Sequence, residues 1–226
     1  MPESIEVLDM LGRVVKIQKP IQRIVSLVPS QTEFLYEIGL KDKIVGQTVF
    51  CIHPKSHFKK SKKIGGTKKV RFDELDELKP DFILCNKEEN NEEIVEILSK
   101  KYPVWVSDIK NIDDAFYMMR SIGEIMDVES ETESLLKNIE SSLSQKKIRH
   151  QYSCLYLVWR NPYMAVGTDT FINHMLERSG FINLVKHNRY PELSTEDMQA
   201  LNPEVILLSS EPYPFKEKHT EELQSL

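Results

Sequence analysis

The chain has 226 residues, of which 40% are apolar and 29% charged, with a net charge of −5. That length accommodates one large or two small globular domains, and the acidic balance argues against nucleic acid as the main partner. No apolar run approaches the 18 residues of a membrane-spanning helix, and three scattered cysteines, Cys51, Cys85 and Cys154, cannot close a disulfide framework. Cys85 and Cys154 lie in apolar runs, as buried structural thiols do. The amino terminus has neither a basic nor an apolar export stretch, so the chain as written is expected not to be exported.

In chain order, Val7 to Ile17 alternates apolar and polar residues around Met10-Leu11-Gly12, which predicts an opening β-hairpin. The run Arg23-Ile24-Val25-Ser26-Leu27-Val28 predicts a buried parallel strand, ended by Pro29. Ser30 followed by Glu33 matches a capping box, and Phe34, Leu35 and Ile38 form the apolar stripe of a helix stopped by Gly39. Strand-like runs at Ile44-Val45-Gly46, Phe82 to Cys85 and Val104 to Val106 then alternate with helical segments at Phe72 to Leu78 and Asn91 to Lys101. Such alternation predicts a parallel sheet covered by helices. Seven lysines and an arginine between Lys55 and Arg71 read as a solvated basic loop or, alternatively, an anion-attracting rim.

From Ile112 the period changes. Ile112, Ala115, Phe116, Met119, Ile122 and Met126 recur at helical spacing, and Leu135, Leu136, Ile139 and Leu143 continue it, whereas a flexible linker would be rich in Gly, Pro or Ser. A stiff helical bridge is expected, with little lobe closure on ligand binding. A second α/β pattern follows: strands at Ser153 to Trp159 and Tyr163 to Val166, and a helix over Phe171 to Arg178 ended by Gly180. Ser194 and Asp197 cap a short helix, and a strand covers Val205 to Leu208. Beyond it lies a tail rich in lysine and glutamate, and the second lobe reads as short of at least one strand and helix. The division expected is 1–110, a bridge over 111–149, and 150–226.

One phrase occurs twice. Leu75-Asp76-Glu77-Leu78-Lys79-Pro80-Asp81-Phe82-Ile83-Leu84 returns as Met198-Gln199-Ala200-Leu201-Asn202-Pro203-Glu204-Val205-Ile206-Leu207. An acidic residue precedes each proline by seven positions, Asp73 and Glu196. The separation is too long for a solenoid repeat and suits two related lobes.

Several stretches together resemble the substrate-binding proteins of ABC importers for cobalamin and ferric siderophores. They are Arg23 to Glu33 with Gly39, Val45-Gly46 leading to Cys51-Ile52-His53-Pro54, Ile64-Gly65-Gly66-Thr67, Leu78-Lys79-Pro80-Asp81 and Asn161-Pro162. The cobalamin branch is the more similar, through Val-Pro-Ser-Gln-Thr-Glu and the Cys-x-His-Pro turn. The resemblance implies an α/β fold of two doubly wound lobes joined by a rigid helical backbone. It also implies a ligand, cobalamin or another metal chelate, held in the cleft between the lobes.

By position, the first lobe would contribute Pro29, Ser30, Gln31, Phe50, His53, Asn86 and Lys87. The second would contribute Trp159, Arg160, Tyr163, Met164 and Tyr190. A corrin ring wants flat apolar walls with a few polar contacts, which Phe50, Trp159, Tyr163, Met164 and Tyr190 suit. Two departures stand out: a tryptophan of some cobalamin binders is Asn86 here, and the tyrosine of a Tyr-Pro turn is His53. An imidazole can ligate cobalt or iron, so His53 is a candidate metal ligand, with hydrogen bonding or packing as the alternative. The resemblance further implies an ABC permease dimer as partner, with Asp73 and Glu196 docking on its arginines. The alternative for both is that a carboxylate simply suits a helix start.

No GxSxG elbow or GxxxxGK[ST] loop occurs, and Gly65-Gly66-Thr67-Lys68 has the wrong order for a phosphate loop, so no enzyme activity is expected. A monomeric binding protein without a cofactor of its own is the leading reading. The competing ones are a ferric-siderophore or haem binder, and a cytoplasmic carrier or sensor of metal chelates.

Overall fold

The structure is a computed structural model that describes residues 3–55, 61–144 and 151–224. It divides into two compact units, Met1–Asp108 with Asp114–Leu143, and Ile109–Asp113 with Ser144–Leu226.

The first unit opens with the antiparallel hairpin of β1 (Glu3–Leu8) and β2 (Val14–Lys19), in which Ile5 faces Ile17. A five-stranded parallel sheet follows, made of β3 (Ile24–Ser26), β4 (Ile44–Gln47), β5 (Lys62–Lys63), β6 (Phe82–Asn86) and β7 (Val104–Ser107) in the order β5-β4-β3-β6-β7. The crossovers carry α1 (Pro29–Glu37), α2 (Phe72–Leu78) and α3 (Glu92–Ser99). Val25, Leu27, Ile83, Cys85 and Val106 pack with Leu75, Ile94 and Leu98 in one buried cluster, the burial expected of helices laid on a parallel sheet.

The predicted capping box at Ser30 does not form. Val28, in extended conformation, precedes the first helical residue without a side-chain cap, Pro29 occupies the first turn, and Ser30 lies exposed within the helix. Proline fixes φ near the helical value and has no N–H to satisfy, so it starts the helix one residue ahead of the serine.

Two further helices, α4 (Ile112–Ile125) and α5 (Glu129–Ser144), meet at Asp127 (φ 57°). Most of their residues, Asp114–Leu143, cluster with the first unit. Lys19 fastens them to β2 by bonding the Asp127 carboxylate at 2.5 Å and the Glu124 carbonyl at 3.4 Å.

In the second unit β8 (Tyr152–Trp159) is central. β9 (Tyr163–Ala165) runs antiparallel to it, while β10 (Phe181–Asn183) and β12 (Val205–Leu208) run parallel, and β11 (Glu192–Leu193) pairs with β9. Alternate residues of β8 face opposite sides: Leu155 and Leu157 pack with Met198 of α7 (Thr195–Leu201), Cys154 and Val158 with Leu176 of α6 (Phe171–Arg178). The predicted Ser194–Asp197 capping box is present. The lysine- and glutamate-rich tail, by contrast, contains α8 (Glu217–Gln224), which buries His219 and Leu223 and adds Leu223 to the Leu155–Leu157 core.

The repeated phrase builds the same device twice. Seven-residue α2 and α7 end at Lys79 (φ 45°, ψ 59°) and Asn202 (φ 46°, ψ 58°), both left-handed, before the proline. The next carboxylate then secures a neighbouring parallel strand. Asp81 accepts the Gln22 and Arg23 N–H groups, each at 2.8 Å, and Glu204 accepts the Ser153 N–H at 2.6 Å and its hydroxyl at 2.9 Å.

Candidate functional site

In the first unit the chain leaves β3 for β4 on one side and β6 for β7 on the other, so the switch point of the sheet lies at the carboxyl ends of β3 and β6. Open α/β sheets bind ligands at such points. Gln31 and Asn86, drawn from these two ends, meet on one atom: both side-chain amides donate to the Ser107 hydroxyl, Asn86 at 2.9 Å. All three residues are buried, and Gln31 Oε1 has no hydrogen-bond partner among the described residues. Asn90, absent from the sequence-based set, accepts the Asn86 N–H and donates to the Leu27 and Thr67 carbonyls. Asn86 is therefore a buried organiser of the loop, whose Oδ1 also accepts the Glu88 and Glu89 N–H groups.

Beside this polar floor the loop after β4 presents Val49, Phe50 and Ile52 to solvent, with exposures of 40%, 58% and 53%. Three large apolar side chains in four residues of exposed loop are unusual on a soluble surface. Cys51 between them is buried and meets the Thr32 and Thr48 hydroxyls at 3.2 and 3.1 Å, which holds the loop down. A Cβ on Gly66 would lie 3.0 Å from the Phe50 ring, so the ring rests close against the Gly66 backbone. His53 is exposed, and among the described residues no group of three His, Cys, Asp or Glu side chains could hold a metal ion. Lys87 pairs with Asp108 at 2.7 Å, Pro29 is half-buried and Ser30 exposed.

In the second unit Trp159 closes β8, 39% exposed, edge-on to Tyr213 with ring centroids 5.6 Å apart. Tyr213 in turn contacts Phe215 and His219. Arg160 and Tyr163 converge on Glu222 of α8: Arg160 Nη2 donates to its two oxygens at 2.9 and 2.8 Å, and the Tyr163 hydroxyl at 2.9 Å. Bonding to Arg160, then to Tyr163, holds the Glu222 carboxyl below the usual carboxylate range, while burial, then Glu222, pushes the Tyr163 phenol up. Met164 and Tyr190 are partly buried against the cluster of Cys154, Val158, Val166 and Leu176, and the Arg189 guanidinium lies 5.6 Å from the Tyr190 ring centre.

Glu222, Tyr213 and His219 were missed because the tail reads as polar. Its only sequence signal is the His219–Leu223 spacing, one apolar stripe on an otherwise charged helix. Ser107 had a clearer one, a polar residue ending the apolar run Val104-Trp105-Val106.

Asp73 and Glu196 sit at the second position of α2 and α7, exposed and without a hydrogen bond or ion pair among the described residues. The acids around them are engaged: Glu74 with Arg71 and Lys62, Asp76 with Lys101 and Tyr102, Asp197 with Ser194.

Two α/β units, each presenting an exposed aromatic side chain by a strand end, make a two-lobed α/β fold. The profile of the periplasmic binding proteins matches residues 24–225, and the chain belongs to that family. The uncharacterized ABC transporter substrate-binding lipoprotein YvrC of Bacillus subtilis is 29% identical over 212 residues, 88% of this chain and 67% of that protein. The vitamin B12-binding protein of Vibrio parahaemolyticus is 21% identical over 198 residues, 84% of this chain and 72% of its own. The crystal structure of a possible iron-binding (periplasmic solute-binding) protein from Staphylococcus epidermidis superposes with a TM-score of 0.79 at 26% identity, covering 92% of this chain and 84% of the other.

Proposed function

We propose that the protein is the substrate-binding component of an ABC-type importer and takes a corrinoid, or a related metal chelate, on the strand-end loops of its units. The observation that carries this reading is the exposed apolar lip Val49–Phe50–Ile52 on the loop after β4, together with the buried amides at the switch point of the same sheet. Flat apolar walls with a few convergent polar groups suit a large planar ring. Trp159 supplies a comparable exposed aromatic surface in the second unit. The B12-binding relative supports the corrinoid, and Asp73 and Glu196, exposed and without a partner among the described residues, support docking to a cationic permease surface. Cyanocobalamin, haemin and a ferric siderophore, each added to the purified protein, give the test. Cobalamin alone should raise the thermal midpoint and shift its visible spectrum, and no response to any of the three removes the reading.

Haem or a ferric chelate is the second reading, favoured by the exposed His53 imidazole three residues after Phe50 and by the structural neighbour described as a possible iron-binding protein. In that case haemin would develop an imidazole-ligated spectrum that His53→Ala abolishes.

A further inference from the structure

Two cations stand among the candidate contact residues, and each is already paired with a carboxylate of its own unit. Lys87 is bonded to Asp108 at 2.7 Å within the first unit. Arg160 gives Nη2 to both oxygens of Glu222, while its Nε is buried with no hydrogen-bond partner among the described residues. A ligand carboxylate approaching this loop would have to displace Glu222 or lie beside it, and two carboxylates on one guanidinium repel each other.

Displacement is resisted because Glu222 does not hang on a free side chain. The neighbouring Leu223 is buried in the Leu155–Leu157 core, and His219 is buried one turn earlier. Tyr163 adds a second donor to the same carboxylate at 2.9 Å. Arg160 is thus held as half of a neutral pair, joined by charge-assisted hydrogen bonds from one guanidinium nitrogen to both carboxylate oxygens.

Resting on the reading of the Trp159–Tyr163 loop as a ligand contact, we propose that Glu222 is a specificity-determining residue. By occupying the Arg160 guanidinium it selects a ligand whose edge carries neutral amides over one whose edge carries carboxylates or other anions. A corrinoid belongs to the first class; haem and most ferric siderophores belong to the second. The net charge of −5 acts in the same direction at long range.

The experiment measures dissociation constants of cyanocobalamin and haemin, by calorimetry, for the wild-type chain, Glu222→Gln and Arg160→Gln, with folding followed by circular dichroism. The readout is the ratio of haemin to cyanocobalamin affinity. Glu222→Gln should raise it about tenfold, since it frees one charge-assisted donor set, and Arg160→Gln should lower it because the Glu222 charge is no longer offset by the guanidinium. A folding defect would not move the ratio in opposite directions. An unchanged ratio in both variants, or movement in the same direction, overturns the proposal while leaving the chelate reading intact. Failure of the wild type to bind either probe overturns both.

Discussion

Asp81 and Glu204 occupy one position of the repeated phrase and hold one kind of group, the start of a parallel strand. This equivalence was legible in the sequence because the phrase is local: a helix turn, a left-handed residue, proline, acid and apolar run all lie within ten residues. The pairing of Arg160 with Glu222 was not, since 62 residues separate them and nothing in either neighbourhood specifies the other. Gly65 tests how tightly a single residue is bound by its place. It has φ +112°, and an added Cβ would lie 2.3 Å from the Lys69 carbonyl oxygen. Gly65→Ala is expected to lower unfolding free energy by about 2 kcal/mol or more through strain and displacement of the Gly65–Val70 bridge. Urea denaturation measures this, and a midpoint equal to wild type would contradict it. Gly123 is the helical counterpart, with the Thr132 hydroxyl 2.5 Å from where its Cβ would stand. Gly123→Ala should separate α4 from α5 and cost about 1–3 kcal/mol in the same measurement.

At the scale of elements, the strands and helices of the first unit follow from apolar periodicity, whereas α8 depends on tertiary contacts that a charged sequence does not announce. Its first turn is unusual. His219 is the third helical residue, and its Nδ1 accepts the Lys216 N–H at 2.9 Å, the part a glutamate plays in a capping box. Burial lowers the His219 pKa below its ordinary 6.5, and the cations Lys218, Arg160 and Lys216 add to this, while Glu222 opposes it. The folded state thus prefers neutral imidazole, and the unfolded state binds the extra proton. Stability from this contact is complete above pH 6.5 and is lost as pH falls through the unfolded value towards the lower folded one. Glu222, whose carboxyl is depressed, holds its contribution until pH falls below the ordinary carboxylate range. Helicity and Trp159 fluorescence should therefore fall between pH 7 and 5 as α8 loosens. His219→Asn, which keeps an acceptor but does not titrate, should flatten that step. Superimposable titrations of the two proteins would show that His219 does not control it.

At the scale of the whole molecule, Asp73 and Glu196 matter as a pair, one on each unit. A carboxylate at a helix start has a structural explanation in the helix dipole, but that explanation applies equally to Glu74, Glu92 and Asp197. What separates Asp73 and Glu196 is that both stand at the same helical position of the repeated phrase and neither has a hydrogen bond or ion pair among the described residues. An exposed ion pair made one at a time contributes little, so a single foot on a permease would be weak. Two feet on one rigid partner reinforce each other, because the first contact raises the effective concentration of the second. Asp73→Ala or Glu196→Ala alone should weaken binding to the cognate permease in nanodiscs by a few-fold, and the double variant by the product of the two or more. Raised salt should weaken the wild type towards the double variant, which should itself respond little. Ligand affinity should be the same in all four proteins, since neither side chain lies on a strand-end loop. Equal permease binding by the double variant would return both acids to the role of helix starts.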